Sequence, residues 1–201
     1  MSLIKTITMK LKITGGEHKG RLIDAPKGLS TRPTSEKLRK TIFDISQNLI
    51  EGSMILDLFS GSGALGLEAI SRGAKQAYLV DHDLKAISCI EKNITSLNMS
   101  SEAVMMKMDV MKAIDHLNGL NIQFDLIFID PPYALESQSI SLAEKVLTKI
   151  ESTQLLASDG LIFLEEGRYF NLNRCLKGLS RLNLKNQRKA GDSFLFEWVL
   201  G

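Results

Sequence analysis

Cysteine is nearly absent: the 201 residues hold only Cys89 and Cys175, far apart and without a neighbouring Cys or His at metal-ligand spacing. That excludes a disulfide framework and a zinc site, no metal is expected, and both thiols are expected in the core, where free cysteine is usually found. No apolar run approaches the roughly 18 residues of a membrane span, so no membrane partner is expected. The amino terminus has no continuous apolar stretch and no small-residue cleavage site of the signal-peptide kind, and a cytoplasmic location is expected. Internal repeats and low-complexity tracts are also missing. What remains, 44% hydrophobic and 24% charged residues, is ordinary globular composition with enough length for one substantial core.

Net charge is small, +2, but unevenly spread. Residues 1–50 carry ten Lys/Arg against four Asp/Glu, residues 51–167 eight against seventeen, and residues 168–189 seven against none. Two basic segments flanking an acidic middle suit a phosphate-binding surface, and contacts to phosphates supply much of the affinity for nucleic acid; cations scattered over solvated faces are the plainer alternative.

From residue 53 onward, short apolar runs (MILDLF, AYLVD, AVMMKMD, FDLIFID, GLIFLEE, FLFEWVL) alternate with helical patterns at 65–71, 84–97 and 140–150. Strands alternating with helices predict an α/β fold with a doubly wound, mostly parallel sheet. The near-continuous apolar character of 54–59 and 124–129 predicts central strands covered on both faces. Residues 1–50 are expected as an extension of the domain 51–201: a small β-hairpin around Gly15, Gly16 and Gly20, a loop at 26–33, and a helix capped by Thr34 or Ser35 that runs to about Leu49.

The densest motif is Asp57-Leu58-Phe59-Ser60-Gly61-Ser62-Gly63-Ala64-Leu65-Gly66, a strand entering a glycine turn and then a helix. Gly61, Gly63 and Gly66 satisfy dinucleotide-binding spacing, and Asp81 ends the next strand where a ribose-binding acid belongs, so a NAD-dependent oxidoreductase is one reading. Asp57 argues against it. A carboxylate repels a pyrophosphate but suits the cationic amino group of S-adenosylmethionine, which has no phosphate. Asp57, Phe59, Ser60, Gly61 and Gly63 are therefore cofactor-binding candidates. Asp81 is assigned to both ribose hydroxyls and Asp109 to the adenine amino group. Asp83 is expected to cap the following helix, and His82 to be a bystander.

Asp130-Pro131-Pro132-Tyr133 follows the strand at 124–129. An exocyclic base amine is a poor nucleophile because its lone pair is delocalised into the ring. An enzyme must accept its hydrogens and turn that lone pair toward the methyl group. Asp130, also placed beside the cofactor, and the Pro131 carbonyl supply rigid acceptors, since each precedes a proline that favours extended backbone. Tyr133 offers a stacking face for a base drawn from its helix or loop. Methyl transfer on such an amine is implied, with alignment supplying the rate.

Over nearly its full length the sequence resembles the RsmD-type 16S ribosomal RNA guanine-N2 methyltransferases of bacteria. The resemblance rests on Gly-Glu-His-Lys-Gly-Arg (16–21) with Leu22, on Thr31-Arg32-Pro33-Thr34 with Lys37, Arg39 and Phe43, on the glycine loop, and on Asp-Pro-Pro-Tyr. It implies a Rossmann-like class I methyltransferase fold with a seven-stranded sheet and S-adenosylmethionine as cofactor. It further implies methylation of a guanine 2-amino group in 16S rRNA within the 30S subunit or its assembly intermediate. Lys19, Arg21, Arg32, Lys37 and Arg39 become candidates for guiding the RNA. One departure is Ala190 before Gly191-Asp192, where the family commonly carries an aromatic residue. A DNA adenine-N6 methyltransferase is the nearest alternative, disfavoured by the small amino-terminal region; a monomer is expected.

Overall fold

The structure, a computed structural model, describes residues 9–26, 34–133 and 139–201. Strands β1 (Lys10–Lys12) and β2 (Leu22–Asp24) form the expected antiparallel hairpin, closed through Gly16 and Gly20 at φ of 76° and 89°. Helix α1 (Glu36–Ile45) starts at Ser35, whose hydroxyl accepts the Leu38 N–H; Thr34 is not the cap. It stops sooner than the sequence suggests. Ser46 turns its hydroxyl back onto Ile42 O at 2.9 Å, a local competitor of helical bonding, and a 3-10 turn, Gln47–Leu49, follows.

The sheet proper comprises β3 (Met54–Leu58), β4 (Gln76–Asp81), β5 (Ala103–Lys107), β6 (Phe124–Ile129), β7 (Leu156–Gly167), β8 (Leu182–Ala190) and β9 (Ser193–Leu200) in the order β5-β4-β3-β6-β7-β9-β8. The first five of that row run parallel, whereas β9 is antiparallel to both β7 and β8. Helices α2 (Ala64–Ser71), α3 (Leu84–Leu97), α4 (Val110–Gly119), α5 (Leu142–Glu151) and α6 (Leu172–Gly178) complete it. The doubly wound class is as expected, with β3 and β6 at its centre. Strand β8 and helices α4 and α6 are additions that the sequence pattern does not announce.

Alternate side chains of the central strands feed two cores. Ile55, Phe128 and Phe163 face one, with Leu38, Ile42 and Phe43 of α1 and Leu11, Ile13 and Ile23 of the hairpin. Leu56, Ile127, Ile129, Leu164 and Trp198 face the other, with α4, α5 and Cys175. The described part of residues 1–50 thus has no core of its own; it covers one sheet face. Both cysteines are buried and free. No helix among the described residues is long and apolar enough to cross a membrane.

This topology fixes where a ligand can bind. Chain order reverses between β3 and β6, and the loops leaving their carboxyl ends flank a crevice, the usual binding position in such sheets.

Candidate active site

The glycine loop is held by backbone conformations that few side chains accept. Phe59, Gly61 and Gly63 have φ of 63°, 56° and 77°, and for phenylalanine that left-handed geometry is a strained one. Ser60 fixes the turn, its N–H donating to Val80 O at 3.0 Å and its hydroxyl to Asp57 O at 2.6 Å. A Cβ on Gly61 would meet nothing nearer than 3.9 Å, so the turn faces open space, whereas one on Gly66 would lie 2.2 Å from the Leu79 side chain. Gly61 leaves room for a ligand, then, and Gly66 lets α2 lie against β4. Helix α2 begins at Gly63, which has no side chain to cap it; Asp57 takes the Gly66 N–H, and the Ala64 and Leu65 N–H groups ahead of it are left to a ligand or solvent.

Two carboxylates brace this loop. Asp57 is buried and accepts the Gly66 N–H at 3.0 Å; burial, with the Asp81 charge nearby, pushes it up to about 7. Asp81 accepts Gly61 N–H on one oxygen and Asp83 N–H on the other, both at 2.9 Å. Each oxygen keeps a lone pair for a ribose hydroxyl. Asp83 caps α3 through Lys85 and Ala86 N–H, as expected. Asp109, two residues past β5, is exposed and accepts the Met111 and Lys112 N–H groups, so it caps α4. The remaining capacity of its carboxylate is what an adenine amine would use.

Across the crevice the chemistry changes. Asp130 Oδ2 accepts the Thr34 hydroxyl, while Oδ1 accepts nothing among the described residues. Desolvation, then the neighbouring Glu165 charge, raises Asp130 to about 8 against the partial relief of the Thr34 bond. Pro131 is buried, and its carbonyl accepts no hydrogen bond from the described residues. Tyr133 donates its phenol O–H to Glu165 Oε1 at 2.6 Å and is 42% exposed. Burial of its hydroxyl and the bond to Glu165 hold that phenol protonated well above its usual range. Ser193 Oγ donates to the same Glu165 oxygen at 2.8 Å.

These positions fit S-adenosylmethionine on three grounds: open space above Gly61, the α2 N–H groups ahead of Gly66, and an Asp81 at the end of β4 that is oriented by two backbone N–H groups and keeps lone pairs for hydroxyls. The family model described as conserved hypothetical protein 95 matches residues 11–198. YlbH of Bacillus subtilis strain 168, named as an rRNA methyltransferase, is 36% identical over 162 residues, covering 81% of this chain and 85% of its own. Ribosomal RNA small subunit methyltransferase D of Escherichia coli K12 is 31% identical over 156 residues, covering 78% of this chain and 74% of its own. The chain belongs to the RsmD family. Among solved structures, YhhF of Escherichia coli, named as a methyltransferase, superposes with a TM-score of 0.79 at 26% identity over 96% of this chain and 98% of its own. The fold is that of the class I methyltransferases, whose methyl donor is S-adenosylmethionine.

In this RsmD-family chain, Asp57, Phe59, Ser60, Gly61, Gly63, Asp81, Asp109, Asp130, Pro131 and Tyr133 all lie at or just beyond the carboxyl ends of β3, β4, β5 and β6. Of the RNA-guiding candidates, Lys19, Arg21 and Lys37 are exposed, with Arg21 donating to Ser96 O at 2.6 Å; Arg32 lies outside the described residues. Arg39 requires correction. It is 1% exposed, pairs with Glu68 at 3.4 Å and donates to Lys12 O and Thr34 O at 2.8 and 3.0 Å, so its charge is spent inside the protein. The basic tail is also partly committed. Arg174 pairs with Glu144, Arg188 with Glu197, and Arg181 donates to Glu151 O and Thr153 O.

Sequence reasoning misses Thr34 and Glu165 as site residues. A usable signal exists for Glu165, an acid closing the apolar run GLIFLEE at a strand's carboxyl end. Nothing local marks Thr34, whose role depends on a contact 96 residues away.

Proposed function

We propose that this protein transfers the methyl group of S-adenosylmethionine to the exocyclic N2 amine of a guanine in 16S rRNA, within the assembled or assembling 30S subunit. The observation that carries this reading is the pair of unspent acceptors, Asp130 Oδ1 and the Pro131 carbonyl, fixed beside the glycine loop. Names of relatives support the RNA class, since several are small-subunit rRNA methyltransferases.

The cofactor supplies an electrophilic methyl group on a sulfonium. Asp130 and Pro131 accept the two amine hydrogens and turn the nitrogen lone pair toward that carbon. As the N–C bond forms and the C–S bond breaks, positive charge develops on the amine and lies against the Asp130 carboxylate. The excess proton then passes from the nitrogen to the Asp130 carboxylate and on to solvent, yielding the N2-methyl base. Tyr133 stacks on the extruded base. Exposed Lys19, Arg21 and Lys37 on the amino-terminal extension contact phosphates, which position RNA without reading its sequence.

The test is transfer of labelled methyl from S-adenosylmethionine to 30S subunits lacking the modification, with nucleoside analysis. N2-methylguanosine confined to small-subunit RNA is expected. Label in DNA adenine overturns the reading in favour of an adenine-N6 enzyme, and no label despite bound cofactor refutes it.

A further inference from the structure

Guanine and adenine both present an amine that Asp130 and Pro131 can grip, so those two acceptors do not select between them. Their difference lies at the adjacent ring nitrogen, where guanine N1 carries a hydrogen and adenine N1 a lone pair. A guanine-selecting pocket therefore needs one more acceptor beside Asp130.

Glu165 stands there. Ile129 of β6 is paired in parallel with Leu164 of β7, so the next residues, Asp130 and Glu165, are neighbours at the carboxyl ends of adjacent strands. Both continue the face of Phe128 and Phe163. The side chain of Glu165 is 8% exposed. One of its oxygens, Oε1, takes both the Tyr133 and Ser193 hydroxyls, whereas Oε2 is buried with no hydrogen-bond partner among the described residues. A buried carboxylate oxygen without a donor is costly, and its neighbour is another acid, not a cation.

The side chain that holds the other oxygen belongs to the site. The Tyr133 ring lies against β7 where Gly167 has no side chain; a Cβ there would be 3.1 Å from the ring. The same ring is tethered by its hydroxyl to Glu165 and is the exposed member of the group. Turning it outward to stack on a base would release one bond to Glu165 that the base can replace.

We propose that Glu165 is the base-selecting residue of the pocket, its carboxylate accepting guanine N1–H while Asp130 holds the neighbouring 2-amino group. This rests on the guanine-N2 reading above. Adenine, with a lone pair at N1, would face the carboxylate with no hydrogen to give.

The experiment compares 30S subunits reconstituted with 16S rRNA carrying guanine or 2-aminopurine at the methylated position. 2-Aminopurine keeps the 2-amino group but has an unprotonated N1. The unaltered protein is expected to favour guanine by about tenfold or more in kcat/KM, the usual scale when a buried polar group is left unpaired. Glu165→Gln, whose amide can offer either an oxygen or an N–H, is expected to bring that ratio close to one. Tyr133→Phe, which cuts the tether but leaves the carboxylate, is expected to slow both substrates and keep the guanine preference. An unchanged ratio in Glu165→Gln, or equal loss on both substrates, overturns the proposal and leaves Glu165 as a support for Tyr133. Failure of the unaltered protein to make any N2-methylguanosine sinks the underlying reading instead, a result distinct from either.

Discussion

The two sides of the crevice hold their acids in opposite ways. On the β3–β4 side, Asp57 and Asp81 are occupied by backbone N–H groups of the chain they brace, so their positions are set before any ligand arrives. On the β6–β7 side, Asp130 and Glu165 are held by side-chain hydroxyls, and Glu165 Oε2 is left with no donor among the described residues. One side is a finished mould. The other is short of hydrogen-bond donors, and a base with its amine and ring N–H is a source of them. A rigid donor site and an unsatisfied acceptor site suit a reaction whose rate comes from alignment.

The strongest way to break this contrast is through the anchor behind the acceptor side. Arg39 holds the Thr34 carbonyl on its guanidinium, so Arg39→Ala should destabilise the fold by about 3 kcal/mol or more, the cost of stranding one member of a buried ion pair. Urea unfolding measures it, and a loss under about 1 kcal/mol would show that Arg72, which also pairs with Glu68 at 2.9 Å, suffices alone. Next, Asp130→Ala should lower methyl transfer by about a hundredfold or more, the scale for losing a group that acts on the reacting centre. Stabilisation by S-adenosylhomocysteine in thermal melts should survive, because the finished side is untouched. Gly66→Ala should do the reverse, weakening cofactor stabilisation and costing about 1–3 kcal/mol through the clash with Leu79.

The last effect is a matter of pH. Asp130 titrates near 8 when folded and near 4 in an unfolded chain. The native state therefore binds the extra proton, and stability is lost as pH rises through that window. Asp130→Asn should flatten this decline in denaturation curves taken between pH 5 and 9. Activity runs the other way, since the ionised carboxylate is the acceptor: kcat/KM for the free enzyme should climb through an apparent pKa near 8. Thr34→Val, which removes the one bond favouring the charged form, should push that midpoint higher.

Much of the molecule is legible because chemistry and periodicity coincide. Residues 54–58 and 124–129 are apolar on both faces since both faces are buried, and the adjoining Asp-Pro-Pro-Tyr and glycine turn need no tertiary contact to declare themselves. Strand β8 is illegible for the opposite reason. After Leu182 and Leu184 its residues are mostly polar and exposed, and only pairing with β9 makes it a strand. Helix α4 is easily overlooked because Asp109 reads as a ligand for adenine, although an acid before an apolar-periodic segment is also a cap. Arg39 misleads as a cation expected at the surface. Its place four residues before Phe43, on the face that also buries Leu38 and Ile42, marks it as inward-facing, with Glu68 as the partner no local pattern can supply.

Strand β8 also ends the sheet, and an open sheet edge is a template on which other chains can grow. Lys185 and Lys189 stand along it, beside Arg188, whose charge is shared with Glu197. Like charges brought together by a second copy would repel, so the edge discourages self-association of the kind that leads to fibres. A polyanion is a neighbour that such an edge does not turn away. The charge that sets two such edges against each other is of the sign that draws a nucleic acid in.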